Sequence, residues 1–564
     1  MRLLWLLAPV GWLVLAAFMG APAQDRSQGR SVVMTRYGIV AAESPLAAQA
    51  GAIILSEGGT AVDAAVAANA VMGVVAPMMN GLGGDLFALV YDAREAKYYG
   101  LNASGWAPRG LTVEHLKRKG FQSMPRRGID TVTVPGVVDG WTKLLQRFGK
   151  KTLAEVLAPA IHYAEQGFPV PEMTAAAWAE AVPFLQSQPW AARLYLPNGR
   201  APQPGEIFRN PELARSLRLL AQQGRDGFYR GEIAMRILEL SRRLGGTMEP
   251  SDLEEFSSEW VEPLSVTYRG WHVYELPPNG QGMAALEMLN LMEQFPLARY
   301  GAGSVDALHV MIEAKKLAYA DLARYVGDPR FSRIPVAALL SKPYAAARAR
   351  AIDLTQANCS PQAGTLPADA GETTYLAVVD RAGNMVSLIQ SNFDEFGSGL
   401  VPEGTGFVLQ NRGALFNLTP DSPNVLAGHK RPLHTIIPAF LERPPLRIAF
   451  GIMGGFNQAQ AHAQFVANLV DFGMNLQAAV EAPRFSKRTF EGCDVDVEDR
   501  FPEAVRNALA ARGHRLRVRG AFSSYMGGGQ AVAHNDATGV NYGASDPRKD
   551  GAAIPEPAPL RQPL

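Results

Sequence analysis

Two hydrophobic periods alternate along this chain. From Tyr37, YGIVAAESPLAAQAGAIILSEGGTAVDAAVAANAVMGVVAP opens on a short apolar run and continues as an Ala-rich helical pattern broken at Gly58-Gly59. Its second piece, Ala61 to Val75, is almost wholly apolar, which predicts a helix buried on most sides. NGLGGDLFALVYDA then reads as a Gly-rich turn feeding a buried strand. Trp141 to Leu240 is mainly amphipathic helix punctuated by Pro and Gly. The helical period is clearest from Val305 to Tyr325, where Leu308, Ile312, Ala320 and their neighbours recur three or four apart.

A loop rich in Gly, Pro, Ser and Asp runs from about Leu354 to Glu372, and the period then changes to two. Tyr375–Val379 and Met385–Gln390 flank Asp380-Arg381-Ala382-Gly383, a hairpin pattern. Ile436–Leu441 and Leu446–Ile452 make a second pair about a Pro-containing turn. AQAHAQFVANLVDFG is helical, and short strands are expected around Arg515–Val518 and Gly529–Ala533. Strands and helices mix without the strict alternation of a parallel sheet, so the class is α+β.

Composition narrows the function classes. Of 564 residues, 47% are hydrophobic and 19% charged, values of a soluble protein with a substantial core. Lys and Arg number 54 against 53 Asp and Glu, so no basic surface for nucleic acid is expected. Arg2, the apolar run Leu3–Met19 and the small residues Ala21-Pro22-Ala23 form a signal-peptide pattern over residues 1–23, cut after Ala23. A retained anchor is the alternative. The expected product is exported, periplasmic or secreted, and free of the membrane once the segment is removed. The two cysteines, Cys359 and Cys493, match no metal or redox spacing and are expected to pack unpaired; export permits a disulfide without requiring one. His309 and Glu313 lie one helical turn apart, but without a second His at metalloprotease spacing they read as helix packing. There is no G-x-S-x-G elbow, and no motif calls for a metal or cofactor.

Thr373 carries the main candidate chemistry. A threonine hydroxyl needs a nearby base, and as the first residue of a chain Thr373 could use its own α-amine, whose pKa is about 8. A polar loop, then Glu372-Thr373-Thr374, then a strand is the setting such chemistry needs. Taken alone, Thr-Thr at a strand start equally reflects β-propensity.

The surrounding blocks add a family resemblance. TTYLAVVDRAGNMVSLIQS from Thr373 resembles the small-subunit start of the γ-glutamyltransferases. GGTAVDAAVAA (Gly58–Ala68), GLGGDLFALVY (Gly81–Tyr91), TVPGVVDGW (Thr133–Trp141), PPNGQG (Pro277–Gly282) and HVMIEAKKLAYADLARYVGDPRF (His309–Phe331) resemble its large subunit. FGSG (Phe396–Gly399), RPLHTIIP (Arg431–Pro438) and GIMGG (Gly451–Gly455) follow in the family's order. The resemblance implies a four-layer αββα N-terminal-nucleophile hydrolase sandwich. It also implies cleavage between Glu372 and Thr373 into a large subunit, 24–372, and a small subunit, 373–564, that stay together as one catalytic domain. Thr373 would form an acyl-enzyme, Ser391 would replace the second Thr that bonds the nucleophile, and Gly454 and Gly455 would supply oxyanion donors.

The substrate pocket departs from the family pattern. Ser104 and Gly105 stand where an Arg-Glu pair is usual, and Phe393, beside Asn392, stands where an Asn is usual. Arg412 and Leu415 replace the residues holding the α-amino group, and His434 and Thr435 replace paired serines. This set resembles the branch that includes oxamate amidohydrolase and acylase-like proteins. It implies hydrolysis of a small carboxylate-bearing amide, with Arg412, His434, Thr435, Asn392 and Ser104 as candidate binding residues. The alternatives are a true γ-glutamyltransferase or glutathione hydrolase acting on γ-glutamyl compounds, and a non-catalytic binding protein retaining the fold.

Overall fold

The computed structural model describes residue 26 and residues 28–362 and 372–559; the segment expected to be a signal peptide lies outside these. Two seven-stranded antiparallel sheets form the centre. The first runs Ala552–Pro555, Ile39–Ala42, Glu372–Val379, Met385–Phe393, Asp85–Asp92, Lys97–Ala103, Glu259–Val261. The second runs Val33–Thr35, Val540–Ser545, Gly529–Asn535, Leu446–Ile452, Ala439–Arg443, Trp271–Glu275, Leu264–Tyr268.

Strand alternation sorts the side chains into layers. Along the 372–379 strand, Tyr375, Ala377 and Val379 join Phe87, Ile389, Phe440 and Ala449 between the sheets. Leu376 and Val378 point the other way, onto helices Pro45–Ser56 and Ala61–Val75. The outer face of the second sheet packs on helices Gly282–Met292, Val305–Tyr325 and Gln458–Val470. Helix, sheet, sheet, helix is the expected four-layer sandwich. Among the described residues, no helix is long and apolar enough to cross a membrane.

The hairpin strands and the long helix fall where the periods put them. The strand expected from Ile436 begins only at Ala439. Its missing residues have other partners: Ile436 N–H donates to His434 Nδ1, and Ile437 N–H donates to Gln458 Oε1.

The cysteines correct the expectation drawn from spacing. Cys359 and Cys493 form a disulfide across 134 residues, with Cα atoms 4.8 Å apart. Flanking backbone bonds bring them together: Ala357 N–H donates to Arg512 O and Gly492 N–H to Cys359 O. Local sequence carries no trace of such long-range pairing.

Candidate active site

Thr373 sits at a break in the ladder. Glu372 pairs with Phe393 and Thr374 with Gln390, so Ser391 and Asn392 together oppose Thr373 in a bulge. Thr373 lies on the inter-sheet side and is fully buried. Its Oγ1 donates to Ser391 Oγ at 3.3 Å, and Ser391 Oγ in turn accepts the Phe393 N–H at 2.8 Å. Gln458 Nε2 lies 3.4 Å from the same Thr373 oxygen.

The paired glycines precede that glutamine. Gly454 has φ 119° and Gly455 φ 58°, a conformation open to glycine at little cost. Two side chains from the N-terminal half and the middle of the chain hold the loop. Gln281 Nε2 donates to Gly455 O at 2.8 Å, while the Tyr319 hydroxyl bonds Phe456 O and, at 3.2 Å, Gln281 Oε1. With these carbonyls tied back, the loop is fixed immediately ahead of the 458–470 helix.

Arg412 is completely buried, on a 3₁₀ turn Arg412–Leu415. Its Nη1 donates to Thr435 Oγ1 at 2.7 Å, and its guanidinium lies 4.4 Å from the centre of the Phe393 ring. Phe393 also lines a cleft of about 390 Å³ with Met124, Arg126, Leu415, Phe416 and Asn417. Phe393, which lines the cleft, is the ladder partner of Glu372. Asp394 anchors its rim, accepting Arg126 Nε and Nη2 at 3.0 and 2.8 Å and Asn411 Nδ2 at 2.7 Å.

Three candidate binding residues are committed elsewhere. His434 Nε2–H donates to Asp85 Oδ2 at 3.0 Å while Nδ1 accepts from Ile436, so both nitrogens have internal partners. Burial, then the neighbouring Arg412 charge, pushes its pKa down to about 4. A neutral, doubly bonded imidazole is not placed to pair with a carboxylate. Ser104 Oγ donates to Asn102 Oδ1 at 2.7 Å and accepts from Asn279 Nδ2 at 3.2 Å, within a buried amide network. A Cβ on Gly105 would stand 1.7 Å from Val134 O, so the usual Glu cannot stand there. Asn392 falls on the opposite face of its strand, its Nδ2 3.5 Å from Pro77 O. His434, Ser104 and Asn392 thus all have hydrogen-bond partners within the protein.

His309 and Glu313 lie with His514 in a group whose ligand atoms are within 4.8 Å of one another. Lys316 Nζ is 2.6 Å from Glu313, and the two histidines bond each other at 2.8 Å. These side chains thus have partners within the protein.

Sequence reading passed over Gln458 and Gln281. Gln281 lies inside the PPNGQG block, and Gln458, Gln460, His462 and Gln464 are polar on every side of a helix that is buried. That conflict between polarity and an apolar setting was the available signal.

Two antiparallel sheets packed face to face between helices are the architecture of the N-terminal-nucleophile hydrolases, and Thr373 is buried in an interior strand of the first sheet. The gamma-glutamyltranspeptidase family model matches residues 47–556, and the chain belongs to this family. It is 38% identical to the Bacillus subtilis glutathione hydrolase-like YwrD proenzyme, over 93% of this chain and 99% of the relative. It is 36% identical to the oxamate amidohydrolase proenzyme of Klebsiella pneumoniae, over 92% of this chain and 98% of that one. A solved cephalosporin acylase from Bacillus halodurans superposes with a TM-score of 0.88 at 42% identity, covering 97% of this chain and all of that one. The protein is an enzyme, a hydrolase of this family.

Proposed function

We propose that the chain is a precursor that cleaves itself between Glu372 and Thr373 and then hydrolyses a small carboxylate-bearing amide through an acyl-enzyme on Thr373. The supporting observation is the Thr373 hydroxyl, buried in a ladder bulge between Ser391 and Gln458, the latter three residues after the Gly454-Gly455 pair. In the precursor the Thr373 nitrogen is an amide and cannot act as a base. Once freed, the α-amine takes the Oγ proton as oxygen attacks the substrate carbonyl. Ser391 fixes the hydroxyl, and the Gly454 and Gly455 N–H groups face the developing oxyanion. The ammonium then protonates the leaving amine, and water, deprotonated by the same amine, releases the acid.

Arg412 is the proposed carboxylate contact, because it stands on the Phe393 platform bordering the cleft. The relatives named for oxamate amidohydrolase and acylase activity support a non-γ-glutamyl substrate, and Gly105 leaves no room for the usual Glu. The disulfide suits an oxidising compartment and supports export.

Intact mass spectrometry tests the processing step: two chains divided at Thr373 are expected, and a single full-length chain from Thr373→Ala. An alanine variant that still splits there sinks the mechanism. Turnover of oxamate or acyl amides in preference to glutathione is expected from the processed form. Efficient glutathione hydrolysis with no amide turnover would replace the substrate assignment with a γ-glutamyl one.

A further inference from the structure

We infer that Gln458 is a catalytic residue whose side-chain amide donates to the Thr373 oxygen when that oxygen leaves, both in deacylation and in the last step of self-cleavage. The inference rests on Thr373 being the nucleophile. Gln458 is fully buried and opens the 458–470 helix, three residues past Gly455. Its orientation follows from the hydrogen bonds: Ile437 N–H can only donate and points at Oε1 from 3.1 Å. The NH₂ end is therefore the end 3.4 Å from Thr373 Oγ1. Catalytic hydrogen bonds are commonly long before substrate arrives and shorten as charge develops.

An amide NH₂ donates and does not take up a proton, so Gln458 is no base. A donor on the nucleophilic oxygen does little for attack, where the oxygen's electron pair is needed for the new bond. It helps when the oxygen recovers that pair. In deacylation water adds to the ester carbonyl and gives a proton to the Thr373 α-amine. The C–Oγ bond then breaks with its electrons on Oγ, and the α-ammonium returns the proton there. Gln458 N–H stabilises the charge between those two events. The N-terminal dipole of the 13-residue helix it opens acts in the same direction. Self-cleavage ends with the same step, on the ester joining the Glu372 carbonyl to Thr373 Oγ.

Rapid-quench kinetics on the processed enzyme, with mass spectrometry of the small chain, tests this. In Gln458→Leu, kcat is expected to fall roughly ten- to a hundredfold, the cost of one lost bond to a charged group. The first-turnover burst should approach one amine per site, the acyl adduct should persist on the small chain, and kcat/KM should change less than kcat. Ester-linked precursor should accumulate during maturation. Gln458→Glu keeps the acceptor for Ile437 and covers the case in which leucine fails to fold. Its deacylation, relative to wild type, should recover as pH falls and the protonated carboxyl becomes a donor. Equal losses in kcat and kcat/KM without a burst, or unchanged kinetics in both variants, would overturn the inference. A wild-type enzyme that is never acylated on Thr373 would instead overturn the nucleophile assignment beneath it.

Discussion

Lowering the pH should destabilise this protein through His434, and by an amount the structure sets. Burial and the adjacent Arg412 hold its folded pKa at about 4, against an ordinary 6.5. A base whose pKa is depressed by folding takes up its proton more readily when unfolded. His434 therefore costs nothing above pH 6.5, and stability drains away as pH falls from there towards 4. Linkage gives a loss of about 2 kcal/mol between pH 7 and pH 5, and about 3 kcal/mol by pH 4. His462 and His514, both pushed down to about 3 with burial the largest cause, drain stability in the same direction. The difference between wild type and His434→Gln isolates the one residue, since glutamine retains a donor for Asp85 and does not titrate. Urea unfolding at pH 7, 6 and 5 should show the gap between the two proteins shrinking by about 2 kcal/mol. Parallel losses would refute the buried-neutral assignment. So would an imidazole NMR signal that disappears in the variant and titrates near 6.5 in wild type.

Replacing Arg412 with Met should cut kcat/KM for carboxylate-bearing amides by roughly ten- to a hundredfold while sparing uncharged analogues, as competition assays would show. Gly454→Ala forces a side chain onto φ 119° and disturbs the proposed oxyanion donor; kcat should fall about a hundredfold with KM little changed. Arg548 binds Glu498 through Nε and Nη2, each at 2.7 Å, and Asp546 through Nη1 at 3.0 Å, all buried. Arg548→Met should destabilise by about 3–5 kcal/mol, seen as a lower melting temperature. On denaturing gels the cut protein should run as one species without reductant and as two with it; two bands under both conditions would disprove the bridge between Cys359 and Cys493.

The layers were legible because each depends on local period. Leu376 and Val378 against Tyr375, Ala377 and Val379 is a two-residue alternation, and the 305–325 helix is a 3.6-residue one. What that helix does with its polar residues was not legible. His309, Glu313, Lys315 and Lys316 are all buried, because strands and loops near residues 353–359, 489–494 and 512–515 close over them. Thr373 is proposed as nucleophile on the strength of ordered family blocks, and the proposed pocket rests on them only in part. Arg412 is buried against Phe393 and Thr435, whereas Ser104 and His434 are turned inward by Asn102, Asn279 and Asp85. No neighbour in sequence announces those partners.

The disulfide takes on a different meaning if the chain is cut at Thr373 as proposed. Cys359 then belongs to one polypeptide and Cys493 to the other, and the sequence has no further cysteine. Separation of the subunits becomes the opening of a tethered pair instead of a bimolecular dissociation, with a partner held at an effective concentration of roughly millimolar. Dilution then has no purchase on the assembled site. Only a reductant would expose the two halves to mass action.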